Sequence, residues 1–139
     1  MFEVTGTKTV TNKGRNSAGN FNFDISVDGH LTNNAAVTMD WVSTRNREWV
    51  AGYATRYIWG DDEYRITGTA QGKNFEGRTF TAAITSPLVV NLSCRWIKEG
   101  KFELTPNGVP IRYFDYGNSG CDDNASVTIN GKRIDFKLR

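Results

Sequence analysis

Phe21-Asn22-Phe23-Asp24-Ile25-Ser26-Val27 is the stretch that decides the fold: every odd position is apolar and every even one polar. Side chains on a strand point alternately to two faces, so this period buries one face and wets the other. The same alternation returns in Val37-Thr38-Met39-Asp40-Trp41, in Phe80-Thr81-Ala82-Ala83-Ile84 and in Ile134-Asp135-Phe136-Lys137-Leu138. Turn chemistry separates the runs. The clearest case is Asn130-Gly131, two residues that accept the positive φ a two-residue type I′ hairpin requires.

Outward from that stretch, strands are expected near 2–11, 20–27, 35–43, 48–58, 63–71, 77–86, 88–97, 101–105, 110–115, 124–130 and 132–138. Turns are expected between them, including one at 44–47 and one at 60–62. No stretch carries a helical i, i+3, i+4, i+7 apolar face. Composition agrees: 15 Thr, 13 Asn and only 5 Leu, with Thr suited to pleated strands and Asn to turns. The expectation is one all-β domain over 1–139, a single antiparallel β-sandwich or flattened up-and-down barrel of about ten strands.

The chain has 139 residues, 17 Lys plus Arg against 15 Asp plus Glu, and 12% aromatic residues. It is too aromatic and too balanced in charge for a disordered chain. A net charge of +2 gives no electrostatic reason to expect nucleic acid. Apolar runs stop after a few residues, as in Pro87-Leu88-Val89-Val90, so no transmembrane segment is expected.

Two cysteines, Cys94 and Cys121, lie outside any CxxC spacing and have no histidine nearby, which argues against zinc. On neighbouring elements of a Thr- and Asn-rich β-domain they are expected to pair, and a disulfide implies export. Met1-Phe2-Glu3-Val4 opens directly into strand chemistry, so the chain is read as a mature domain without its export signal.

Nucleophilic catalysis would have to use the single histidine, His30, which sits in what reads as the turn Asp28-Gly29-His30-Leu31. Paired carboxylates for glycoside chemistry could come from Asp40, Glu48, Asp62, Glu63, Glu103 and Asp115, although strand carboxylates usually belong to the wet face. The oxygen-rich loop from Asp115 to Asn124 offers Asp115, Asp122 and Asp123 as weak calcium candidates without EF-hand spacing. The aromatic set Trp41, Trp49, Tyr53, Tyr57 and Trp59 is core if buried and a platform for sugar or protein if exposed. Arg45, Arg47, Arg56, Arg65 and Arg78 surround it, with Arg56 and Arg65 facing each other across the expected turn at 60–62.

The second half carries an ordered set of motifs. Glu63-Tyr64-Arg65-Ile66-Thr67-Gly68-Thr69-Ala70-Gln71-Gly72 is followed by Gly77-Arg78-Thr79-Phe80 and Ile84-Thr85-Ser86-Pro87-Leu88. Then come Cys94-Arg95-Trp96, Asp115-Tyr116-Gly117, Cys121-Asp122-Asp123 and Val127-Thr128-Ile129-Asn130-Gly131-Lys132. In that order they resemble the C-terminal β-domain of uncharacterised exported lipoproteins of Bacteroidota, over about 63–138. That pattern usually has an Asp in the turn after Asp-Tyr-Gly, where this chain has Asn118-Ser119-Gly120, which weakens a metal role for the loop. The resemblance implies an all-β fold and a place in the cell envelope, with any lipidated cysteine upstream. It implies no catalytic residue.

The sequence therefore leads to a non-enzymatic, extracytoplasmic monomer that binds a glycan or a protein partner. The expected ligand-binding set is Trp41, Trp49, Tyr53, Tyr57, Trp59, Arg56 and Arg65, and no cofactor is expected. The alternatives are an up-and-down barrel holding a small apolar ligand and a small glycan-active enzyme using two carboxylates.

Overall fold

The structure, a computed structural model, describes residues 3–52, 62–118 and 120–138. Every regular element among them is a strand: β1 (Glu3–Arg15), β2 (Phe21–Thr32), β3 (Thr38–Ala51), β4 (Glu63–Lys73), β5 (Thr79–Asn91), β6 (Glu99–Pro106), β7 (Arg112–Asp115), β8 (Asn124–Ile129) and β9 (Lys132–Lys137). They form one antiparallel sheet of nine strands in the order of the chain. This is the all-β, up-and-down connectivity the alternation calls for. The sheet is open, with β1 and β9 as its edges.

Two expected breaks are absent. Residues 35–43 and the start of 48–58 belong to one strand, β3, which runs straight through Thr44-Arg45-Asn46-Arg47. That segment has no Gly or Pro to turn on, and its period of two carries on unbroken from Trp41 to Trp49. Likewise 77–86 and the start of 88–97 make one strand, β5. Pro87 falls where the pairing with β6 shifts register between Ser86 and Val89, so its missing N–H leaves no gap in a regular ladder.

Three hairpins close on the same device. In the β2–β3 turn the Ala36 N–H donates to the Asn33 carbonyl, and the Asn33 side-chain oxygen accepts from the N–H groups of Ala35 and Val37 at 2.9 and 3.1 Å. Asn16 and Asn74 do the same in the β1–β2 and β4–β5 turns. Asn suits this position because its short amide reaches its own backbone two residues on. The fourth residue of each turn takes a left-handed φ, which Gly19 and Gly77 accept freely and Ala36 adopts at 60°. The β8–β9 hairpin turns on Asn130 and Gly131 at φ 54° and 75°, as the Asn-Gly pair predicts.

Register assigns every strand residue to one of two faces, because directly paired residues point the same way. One face collects Phe23, Ile25 and Val27 of β2, Met39 and Trp41 of β3, Ile66 of β4, and Phe80 and Ile84 of β5. It continues through Phe102, Phe114, Val127 and Phe136 to the far edge. The other face carries the Thr residues: Thr5, Thr7, Thr9 and Thr11 of β1, with Thr67, Thr69 and Thr81 further in.

No second layer covers the apolar face among the described residues; substantial strand contacts join sequence neighbours only. Among the described residues no large side chain is fully buried, and the apolar ones that are buried are Tyr64, Val89, Cys94 and Ala125. The accessible surface is 9104 Å². A compact monomer of 15.6 kDa would expose roughly 7,200 Å². Even so, apolar-face residues of β4 are systematically less exposed than their neighbours on the polar face. At Gly6 and Gly68, with φ of 142° and 141°, a Cβ would meet the neighbouring strand's carbonyl oxygen at 2.1 and 2.2 Å. Such glycine positions let neighbouring backbones approach closely and let a sheet bend.

The disulfide expected from sequence is present: Cys94 and Cys121 are bonded with Cα atoms 5.8 Å apart. It ties the loop after β5 to the loop before β8. The Lys98 N–H donates to the Val89 carbonyl and the Tyr116 N–H to the Gly100 carbonyl, fixing both loops to the sheet end.

Candidate functional site

The apolar face contains a groove of about 260 Å³. Its floor is Ser43 of β3, Ala70 of β4 and Ala82 of β5, which pair across the strands in register. Trp41 stands at one end, and Arg45, Ile84 and Phe102 at the other. The floor is low because these three side chains are short, while the rings on either side are tall.

Trp41 is held by a second feature of the sequence. Its cross-strand partner on β2 is Gly29, where a Cβ would fall 2.3 Å from the indole. The ring therefore lies over the space that glycine leaves open, and stays half-buried beside the groove. Trp49 is elsewhere. It lies eight residues further along β3, about 26 Å away by strand rise. There it stacks on Tyr64 at 5.9 Å between ring centroids, and the Arg47 guanidinium covers the same Tyr64 ring at 4.1 Å. Trp41 and Trp49 share a face and form no common platform. Arg65 pairs with Glu48 on the polar face, on the opposite side from both. Tyr53, Arg56, Tyr57 and Trp59 lie outside the described residues, as does most of the expected turn at 60–62.

The carboxylates considered for catalysis do not gather at the groove. Asp40, Glu48, Glu63, Glu103 and Asp115 all take the polar face by register. Asp62 is buried just ahead of β4, and its Oδ1 has no hydrogen-bond donor among the described residues. Glu48 accepts from the side-chain amides of Asn20 and Asn16 at 2.9 and 2.7 Å. These bonds hold its carboxyl below the usual range.

His30 lies within β2, not in a turn, and its ring sits between two carboxylates. Nδ1 bonds Asp40, and Nε2 lies 3.6 Å from Asp28. The hydrogen bond to Asp40, helped by both charges, raises the imidazole above its ordinary value. The trio is solvent-exposed on the polar face.

The calcium candidates have other engagements. Asp115 Oδ1 accepts the Gly117 N–H at 2.8 Å, and Asp122 Oδ1 accepts the Asn124 N–H at 3.0 Å. Asp123 accepts from Lys137 at 3.2 Å. Among the described residues no three His, Cys, Asp or Glu side chains converge as a metal site would require. A larger groove of about 470 Å³ runs between Gly117 and the β8–β9 hairpin. Most of its lining residues are polar, and its Arg133 and Lys137 are paired with Asp135 and Asp123.

Sequence reasoning missed the groove because the turn expected at 44–47 hid the parity of Ser43, Arg45 and Arg47. The signal was there: Met39, Trp41, Ser43, Arg45, Arg47 and Trp49 share one odd-numbered register.

Comparison with known proteins finds no matching family model, no similar curated protein and no similar solved structure. Among the described residues no helix is long and apolar enough to cross a membrane. That observation and the paired cysteines are compatible with an extracytoplasmic location.

Proposed function

We propose that this chain is a non-enzymatic, extracytoplasmic binding domain whose apolar face receives the bound molecule, anchored at the groove beside Trp41. One observation carries the reading: a nine-stranded sheet presents a continuous apolar face with no layer over it among the described residues. Apolar surface of that extent marks a binding site on a soluble protein. The strand carboxylates an enzyme would use are on the other face. The export half of the proposal rests on the disulfide and on the resemblance to envelope lipoproteins.

Of the molecules weighed from sequence, an apolar ligand or the apolar side chains of a partner suit the groove better than a glycan. A sugar needs hydrogen-bonding groups around the ring it stacks on. Across the strands Trp41 is flanked on its own face by Gly29 and Gly72, which offer no side chain for this, and of its two same-face neighbours along β3, Met39 and Ser43, only Ser43 is polar. The test uses Nile red, a neutral apolar dye. Its fluorescence should rise on the wild-type protein and fall sharply with Trp41→Ala, whose change removes one wall of the groove. A glycan array is expected to be silent. Dye that stays dark on the wild type would refute the apolar-face reading, and a glycan signal lost with Trp41→Ala would replace it.

A further inference from the structure

The charges on the two faces are sorted. Register places Lys8 of β1, Arg45 and Arg47 of β3, Arg112 of β7 and Lys132 of β9 on the apolar face. No Asp or Glu among the described strand residues points that way. None of these five cations forms an ion pair with a described carboxylate. The polar face is the reverse: Lys13–Asp24, Lys101–Asp115 and Arg133–Asp135 are paired at 4.0, 3.8 and 2.8 Å. A chain of almost neutral net charge thus presents one face that is apolar and only cationic.

We propose that the groove binds a single anionic amphiphile, an alkyl chain ending in a carboxylate or similar acid, with the chain against Trp41 and Phe102 and the head at Arg45. This rests on the apolar-face reading above and names the class of molecule it takes. Arg45 lines the groove, is exposed and lacks an acidic partner, so an incoming anion supplies the charge its surroundings omit. A second copy laid face to face would bring Arg45, Arg47 and Arg112 toward their equivalents with no acid between them, which is unfavourable. The groove, at about 260 Å³, lies near the small end of ligand pockets, ~300 Å³.

The experiment is competition against Nile red with three ligands of one chain length: decanoate, decanol and decyltrimethylammonium, all below their micellar concentrations. Decanoate should displace the dye at roughly tenfold lower concentration than decanol, the scale of one charge-assisted hydrogen bond. Decyltrimethylammonium should be the weakest. Arg45→Gln should erase most of the decanoate advantage and leave decanol unchanged, while Arg45→Lys keeps the preference. Arg65→Gln, on the polar face, should change neither. Nile red that never binds overturns the apolar-face reading and this inference together. Dye bound normally but displaced equally by decanoate and decanol overturns this inference alone. So does protein that sediments with phosphatidylglycerol vesicles yet ignores decanoate, which points to a membrane surface. A ligand-free dimer in the ultracentrifuge that excludes the dye points to a second copy and also overturns it.

Discussion

Reducing the Cys94–Cys121 bond should cost this protein an unusually large share of its stability. The bond closes a loop with a sequence separation of 27. In the chain-entropy account such a loop contributes about 3.5 kcal/mol by restricting the unfolded chain. An unfolding entropy of about 2.1 cal/mol/K per residue turns this into a midpoint shift of about 12 °C for a chain of 139 residues. The share is large because little else is buried: among the described residues no large side chain is wholly out of solvent. The assay is thermal unfolding by circular dichroism of oxidised protein, of reduced protein and of the Cys94→Ala/Cys121→Ala double variant. Mass measurement before and after reduction and alkylation verifies the starting state. Both treatments should lower the midpoint by a similar amount, so that the bond and not the thiols is responsible. A drop of less than about 3 °C, equivalent to about 1 kcal/mol, would refute the reasoning that the two loops are held mainly by this link.

Four further outcomes follow from local geometry. Ala36→Gly should raise stability by about 1 kcal/mol in urea unfolding, because Ala36 holds a left-handed φ of 60° that glycine adopts without strain. Gly77→Ala, at the equivalent turn position, should lower it by a similar amount. Gly29→Val should push the Trp41 indole off the sheet, costing about 1–3 kcal/mol and shifting the tryptophan emission. An NMR titration of His30 should give a midpoint above 6.5, returning toward 6.5 in Asp40→Asn. Since the folded value is raised, the stabilisation from this contact is fully present below the unfolded pKa and fades as pH rises through the folded one.

Much of the fold was legible because period-two alternation is a direct image of a sheet with one apolar face. Phe21 to Val27 and the Asn-Gly hairpin needed no tertiary information to read. Strand ends were harder. Thr44 to Arg47 looks like a turn by polarity, yet two of its residues are arginines on the apolar side, and the Arg47 guanidinium lies over Tyr64. Long cationic side chains serve on such a face because their stems are apolar and their heads reach out of it. The disulfide was readable from cysteine number and placement. The groove was not, since its floor is assembled from Ser43, Ala70 and Ala82, which are far apart in sequence and joined only by register. Arg65 shows the same limit from the other side: nearness in sequence to the aromatic strand said nothing about which face it takes.

The most direct test of the central claim is to see where a bound amphiphile lies. Protein carrying labelled Ala and Thr methyl groups is mixed with decanoate, and nuclear Overhauser transfer from the alkyl protons is recorded. The account predicts transfer to the methyls of Ala70 and Ala82 and none to those of Thr67 and Thr81, which stand on the opposite face of the same strands. Transfer to Thr67 and Thr81 with silence at Ala70 and Ala82 would contradict it.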